Sequence, residues 1–171
     1  IAERPRRRVD PRLERRNVGV NFNGLRVPLA NLLAFWNPLV DDPWHIGTLT
    51  LDDLRDDPAD CNHEGWPSHY DPYSTKPEAT CRACQIRRIR ILAIDGWPSV
   101  FEDPHPVSVD VGLGRYVPSC PVTDGNHRVA AAVLRGDSFV DLAVGGDWDR
   151  AVAVLVAGNL DALGEAFYGD C

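Results

Sequence analysis

The segment PVTDGNHRVAAAVLRGD, residues 121–137, constrains the fold of this chain more than any other stretch. It begins with strand-forming residues, turns at Asp124-Gly125, and continues as an alanine-rich run that ends at Gly136. Glycine accepts the positive φ of a tight turn, and alanine has the highest helix propensity. The segment therefore predicts a strand, a turn and a helix over 126–135, which Gly136 ends.

Hydrophobic periodicity and capping residues predict the other elements. A Thr50–Asp53 capping pair marks one short helix, and Asp147 is the predicted N-cap of another. The predicted helices span 27–36, 51–56, 84–95, 126–135, about 148–155 and about 160–169, and the predicted strands span 106–112, 118–123 and 139–144. This order predicts an α/β or α+β domain in which helices pack on a small mixed sheet.

The chain length of 171 residues suits one ordinary domain with its own core. The apolar share of 44% and the charged share of 25% are typical of globular proteins. No apolar run approaches the roughly 18 residues of a membrane span. We predict a flexible basic arm over 1–20 and a single domain over 21–171, which includes an irregular loop over 57–84.

Charge is unevenly distributed along the chain. Residues 1–16 carry seven arginines against three acids, whereas the whole chain has a net charge of −7. An acidic body argues against a broad nucleic-acid surface. The basic arm could contact phosphate or an acidic protein partner, or it could simply be solvated. The sequence leaves the oligomeric state open.

The cellular setting is inferred from two features of composition. Lys76 is the only lysine beside seventeen arginines, which indicates a GC-rich bacterial or phage genome. The arginine-rich start does not resemble a secretory signal. We therefore expect a protein of the cytoplasm of a bacterial or phage-infected cell, with no membrane partner.

The irregular loop contains two closely spaced pairs of metal-ligating residues. Cys61 and His63 form a C-x-H pair, and Cys81 and Cys84 form a C-x-x-C pair before a predicted helix. Each pair can supply two vertices of a tetrahedron from one tight turn, as structural zinc sites do. We predict that these four residues bind a structural Zn²⁺, which would organise a loop that has no core of its own.

Other interpretations of the cysteines remain open. Cys81 and Cys84 could form a disulfide or a redox pair, and His69 could replace His63 as the ligand. Catalytic zinc is disfavoured because four protein ligands leave no open position. Cys120 and Cys171 are interpreted as an ordinary packing residue and a terminal residue.

The turn at 124–128 has the composition of an anion site. The first backbone N–H groups of a helix are unpaired and carry partial positive charge. Gly125 removes the side chain that would keep a phosphate away, with Asn126 beside it, and Arg128 adds a fork of donors suited to phosphate. His127 could act as an acid or base, and Asp124 could orient it or bind a divalent metal such as Mg²⁺. The alternative is that Asp124 or Asn126 only caps the helix.

The run DGNHRVAAAVLRGD resembles the box of the ParB/sulfiredoxin superfamily, in which a D-G-x-H-R-x-x-A-A sequence starts a helix after a strand. RRIRILAIDGWPSVFEDPHPVSVDVGLGRY and FVDLAVGGD are similar to the flanking elements, so the resemblance covers about residues 85–150. It implies a small α/β fold that grips nucleotide or nucleic-acid phosphates. It also implies that Gly125, His127 and Arg128 face the phosphate, with Asp124 and Asn126 beside them.

Members of this superfamily include partition proteins that bind and hydrolyse CTP, sulfiredoxins, free-serine kinases and ParB-like nucleases. The chain departs from several of them. Asn126 stands where sulfiredoxins have their cysteine, and no helix-turn-helix domain is expected after the box. A kinase would need an acidic base elsewhere, for which Glu102 and Asp103 are candidates by position only. His105 is equally ambiguous.

Three functions are compatible with these features. The first is an enzyme that transfers or hydrolyses phosphoryl groups with Mg²⁺, using Asp124, His127 and Arg128 as catalytic residues. The second is a module that binds a nucleotide or nucleic acid without chemistry. The third is a phage structural or interaction protein with a vestigial pocket.

Overall fold

The computed structural model describes residues 23–58, 60, 61, 63, 77–98, 106–165 and 167–169. The fold and the sites are described for these residues only. Several predictions lie outside the described residues: those for the arm 1–20, His69, Glu102, Asp103, His105 and Cys171.

Strands and helices alternate irregularly along the described chain. The strands are β1 (Asn23–Pro28), β2 (Ser108–Asp110), β3 (Tyr116–Pro118), β4 (Val122–Asp124), β5 (Phe139–Gly145) and β6 (Phe167–Gly169). The α-helices are α1 (Leu29–Phe35), α2 (Leu51–Arg55), α3 (Arg82–Asp95), α4 (Asn126–Arg135) and α5 (Trp148–Ala151). Short 3₁₀ turns span Pro77–Thr80 and Leu160–Leu163, and a π-helical turn spans Val152–Val156. Within the described residues, no helix combines the length and apolar character needed to cross a bilayer.

A four-stranded mixed sheet with the order β1-β5-β2-β4 forms the centre of the fold. β5 pairs antiparallel with β1 and parallel with β2, and β2 pairs antiparallel with the edge strand β4. β3 and β6 form a separate parallel pair. The predicted fold class, a mixed sheet packed by helices in an α+β domain, is confirmed.

Helix α4 lies between two hydrophobic cores. Val129 and Ala132 pack into the core over the central sheet, whereas Ala130 and Ala131 pack into a second core built around Trp44 and α3. All four residues are fully buried. The small alanine side chains let a helix be enclosed on both sides, which explains the alanine run in its sequence.

Several predicted elements are confirmed. α4 has its predicted bounds, and Gly136 ends it in the left-handed conformation. The Thr50–Asp53 capping box is formed, and Asp147 caps α5 through the backbone N–H of Arg150.

Other element predictions are wrong. The first helix begins at Leu29 instead of residue 27, because residues 23–28 pair with β5. The predicted strand 118–123 is divided between β3 and β4, which belong to different sheets. The predicted helix 160–169 is a 3₁₀ turn that ends at Gly164, followed by β6.

Gly125 is required by both conformation and space. Its φ is +91°, and an added Cβ would lie 2.9 Å from the Cα atom of Val107 on the neighbouring chain segment. Real Cβ atoms do not approach backbone atoms that closely. The absence of a side chain at Gly125 therefore allows the turn between β4 and α4 to pack directly against Val107.

We expect Gly125→Ala to lower the free energy of unfolding by more than about 3 kcal/mol, because left-handed strain of about 1–3 kcal/mol is joined by a backbone clash. Gly136→Ala is the matched control, since its φ is +75° and its Cβ would meet open space. The control should lose about 1–2 kcal/mol. Urea denaturation followed by circular dichroism measures both, and equal losses would contradict the packing role of Gly125.

Candidate functional site

The four metal-ligating residues predicted from the sequence lie together in the structure. The ligand atoms of Cys61, His63, Cys81 and Cys84 are all within 4.8 Å of one another. The Sγ atom of Cys84 lies 3.4 Å from that of Cys61 and 3.5 Å from Nδ1 of His63. Zn–S bonds of about 2.3 Å give tetrahedral edges of about 3.8 Å, so this spacing fits a four-coordinate ion. The cluster could therefore hold a metal ion.

Helix α3 and the end of α2 bring the two halves of this cluster together. Cys81 is the N-cap residue of α3 and Cys84 lies in its first turn, where the helix dipole favours thiolates. Arg90 donates to the carbonyl of Asp56 at 2.6 Å and pairs with Asp57 at 2.8 Å. These contacts hold the chain after α2 against α3, and Cys61 follows four residues later.

The thiols of the cluster influence one another strongly. Burial, together with the neighbouring Cys61 and Cys81, raises the pKa of Cys84 to about 12. Hydrogen bonds from Cys84 and from the backbone of His63 lower the pKa of Cys61 to about 7. Three thiolates this close repel one another, so a bound cation is what would allow all of them to ionise. Arg87 lies 3.6 Å from Sγ of Cys61 and offsets negative charge there.

We expect the purified chain to bind one Co²⁺ ion with thiolate-to-metal charge-transfer absorption, because cobalt reports the tetrahedral sulfur sites that zinc occupies. Cys84→Ser should weaken that absorption and lower the cobalt affinity, because it leaves Cys61 and Cys81 as the thiolate ligands. His45→Asn, a change at an exposed histidine, is the control and should leave both intact. An absorption and an affinity that Cys84→Ser leaves unchanged would contradict the assignment of the cluster.

The second predicted site is the junction of β4 and α4. Asn126 is used to fix this junction: its amide donates to the carbonyl of Val122 at 3.2 Å and accepts from the indole N–H of Trp36 at 3.0 Å. Gly125, the N-cap residue, provides no side-chain cap, and its carbonyl accepts from the backbone of Arg128 at 2.8 Å. Asp124 is exposed at the end of β4.

His127 lies inside the protein, between α3 and Trp44. His127 is only 8% exposed, and the centroid of its ring lies 4.7 Å from that of Trp44. Burial lowers the pKa of His127 to about 3, and the positive charge of Arg88 contributes. The neutral imidazole donates from Nε2 to Oε1 of Gln85, whose own amide donates to Ala79. The structure thus gives His127 a packing role, away from the surface where a phosphate would lie.

Arg88 is the residue of this site that the sequence analysis missed. Burial lowers the pKa of Arg88, and the nearby positive charge of Arg128 lowers it further, whereas Asp124 acts in the opposite direction. The charges of Arg128 and Asp124, at the start of α4, therefore both act on Arg88. The available signal was spacing: Arg88 is one helical turn after Cys84, on a helix whose buried residues include Gln85 and Ile89.

A cleft of about 190 Å³ continues from Arg128 toward the end of α3 and the start of β5. Its charged lining consists of Arg128, Arg135, Asp137 and Asp141, and its aromatic lining consists of Trp97 and Phe139. Arg128 thus belongs both to the junction at α4 and to this cleft.

Cys120 packs against the core over the central sheet, as its interpretation as a packing residue predicts, and it is also disulfide-bonded. Cys61, Cys81 and Cys84 are not disulfide-bonded, so the alternative that Cys81 and Cys84 form a disulfide is not what the structure contains.

Comparison of the chain with protein-family models, with curated proteins and with solved structures gave no match. The resemblance to the ParB/sulfiredoxin superfamily therefore stays a prediction from the D-G-N-H-R box. The fold and the sites therefore define the class of protein only as an α+β domain with a Cys₃His cluster.

Between pH 7 and pH 5, we expect the free energy of unfolding of the wild type to fall by about 2 kcal/mol more than that of His127→Gln. One titrating group contributes about 1.4 kcal/mol per pH unit. The folded pKa is about 3, below the ordinary value of 6.5. The unfolded chain therefore takes up the proton first, and stability is lost as the pH falls below 6.5. Urea titrations of both proteins at each pH measure the difference. The cysteine cluster is the same in both proteins, so its own pH dependence cancels in that difference. Parallel curves would contradict a buried, neutral His127.

Proposed function

We propose that this chain is a ParB/sulfiredoxin-like domain that binds the phosphate groups of a nucleotide at the start of α4. The observation that carries the proposal is the position of Arg128, which lies in the first turn of α4 and lines a cleft. Its positive charge also lowers the pKa of Arg88 on α3, so the two arginines together create a positive potential that a phosphate would offset. Both arginines have further interactions in the structure.

A free nucleotide suits this site better than a nucleic acid. The chain has a net charge of −7, and a polyanion would be repelled over most of such a surface. A nucleotide needs only a local positive site, which Arg88 and Arg128 supply. Binding of double- or single-stranded DNA with steep salt dependence would favour the nucleic-acid alternative instead.

Phosphate binding is the core of the proposal, and catalysis would require further groups. His127 is buried and neutral, so it does not serve as an acid or base toward a ligand in the cleft. Asp124 is the exposed carboxylate beside Arg88 and is the residue we would assign to Mg²⁺. Phosphoryl transfer or hydrolysis at this site therefore depends on Asp124 and Mg²⁺ rather than on the imidazole.

We further propose that the ion of the Cys61, His63, Cys81 and Cys84 cluster is zinc and that its role is structural. Three sulfur ligands favour zinc over magnesium or calcium, and four protein ligands fill a tetrahedral coordination shell. The cluster joins the chain after α2 to the first turn of α3. Arg88 lies one turn further along the same helix.

We expect Arg128→Ala to weaken binding of a fluorescently labelled nucleoside triphosphate at least tenfold, because a charge-assisted hydrogen bond contributes about 1.5–3 kcal/mol. Arg128→Lys should retain part of the affinity. Arg115→Ala, which removes an exposed arginine from the turn after β2, is the matched control and should bind like the wild type. Fluorescence anisotropy with and without Mg²⁺ measures these affinities.

Two results would contradict the proposal. One is equal affinity of the wild type and Arg128→Ala. The other is that no nucleotide binds the zinc-loaded protein, which would favour a phage structural or interaction protein. Release of inorganic phosphate during the assay, lost in Asp124→Asn, would assign the site to an enzyme.

A further inference from the structure

The cleft beside Arg128 has features that phosphate binding alone does not explain. Phe139, at the start of β5, lines it with a side chain that is 49% exposed. An exposed aromatic ring of this size gains free energy when a ligand or partner covers it. Trp97, at the end of α3, lines the cleft as well and is half-buried.

An arginine guanidinium group lies over each of the two aromatic rings. The guanidinium carbon of Arg135 lies 4.2 Å from the ring centroid of Trp97, and that of Arg26 lies 5.5 Å from the centroid of Phe139. Arg135 is also fixed by the carboxylate of Asp137. A guanidinium plane held in this way is itself a stacking surface for a heterocyclic ring, as in many nucleotide-binding proteins.

We infer that the cleft lined by Trp97, Arg135 and Phe139 holds the base of the nucleotide whose phosphates bind at Arg88 and Arg128. This inference rests on the proposed function and names the ligand class more closely. Arg128 lines the cleft and neighbours Arg88, so a base and its phosphates would occupy adjoining positions.

The size and charge of the cleft agree with one base. Its volume of about 190 Å³ is below the roughly 300–1,000 Å³ of pockets that enclose a whole drug-sized ligand. It would therefore take a single ring system, with the rest of the nucleotide outside. Asp137 pairs with Arg135, and Asp141, which lies 3.9 Å from Arg26, adds a second carboxylate to the lining, which suits a neutral polar ring rather than another phosphate. The carboxylates also supply acceptors for N–H groups of a base.

The test compares a nucleoside triphosphate with inorganic tripolyphosphate, which has the phosphates without the base. Both are titrated calorimetrically into the full, zinc-loaded chain at one fixed salt concentration. Stacking of one base contributes an amount equivalent to about 5- to 150-fold in affinity. The wild type should therefore bind the nucleoside triphosphate at least fivefold more tightly than tripolyphosphate.

Phe139→Ala should remove most of that preference while leaving the affinity for tripolyphosphate within twofold of the wild type. Leu113→Ala is the matched control, because Leu113 is an exposed apolar residue (65% exposed) that does not line the cleft. It should change neither affinity. Phe139 is exposed enough that its replacement should not unfold the chain, and circular dichroism checks this.

The outcomes separate the two proposals. Equal affinity of the wild type for both ligands would overturn the base site and leave phosphate binding standing. A loss of both affinities to the same degree in Phe139→Ala would also overturn it. If neither ligand binds the wild type, the proposed function fails and the base site fails with it.

Discussion

The hydrogen bond between His127 and Gln85 is the contact on which the arrangement of both sites depends. It joins α4 to α3 inside the protein, where an unpaired polar group would cost about 1–3 kcal/mol. Gln85 follows Cys84 directly, so one turn of α3 carries a metal-cluster residue and the partner of the histidine in the box. The same bond joins the helix that carries Arg88 to the helix that carries Arg128, whose charge acts on Arg88.

The enclosure of α4 explains why its start can be held so rigidly. Ala130 and Ala131 face the core around Trp44, whereas Val129 and Ala132 face the core over the sheet. Gly125 lets the turn before it pack directly against Val107, and Asn126 bonds to both Val122 and Trp36. A helix fixed on two faces and at its first turn cannot rotate, so the direction of Arg128 is set by packing.

The sequence predicts those features that depend on local chemistry. The bounds of α4 follow from Gly125, Gly136 and the alanines between them, and the cysteine cluster follows from ligand spacing alone. Strand β1 was not predicted, because NGLRVP has no clear alternation and becomes a strand only by pairing with β5. The burial of His127 was also hidden, since spacing cannot tell whether a polar side chain at a helix start faces a ligand or a neighbouring helix. The one clue was Gln85, a polar residue on the helix face that contains Ile89.

The residues of the D-G-N-H-R box have different roles in the structure. Gly125, Asn126 and His127 fix the turn, the junction and the helix pair through the contacts described above. Arg128 is the residue of these four that lines the cleft. Because the imidazole is buried and neutral, Arg128 and Arg88 are the positive charges of the region where we propose that the phosphates bind. A metal that orders the first turn of α3 would act on those charges through Gln85 and His127, and a ligand bound to them would reciprocally favour the metal-bound form.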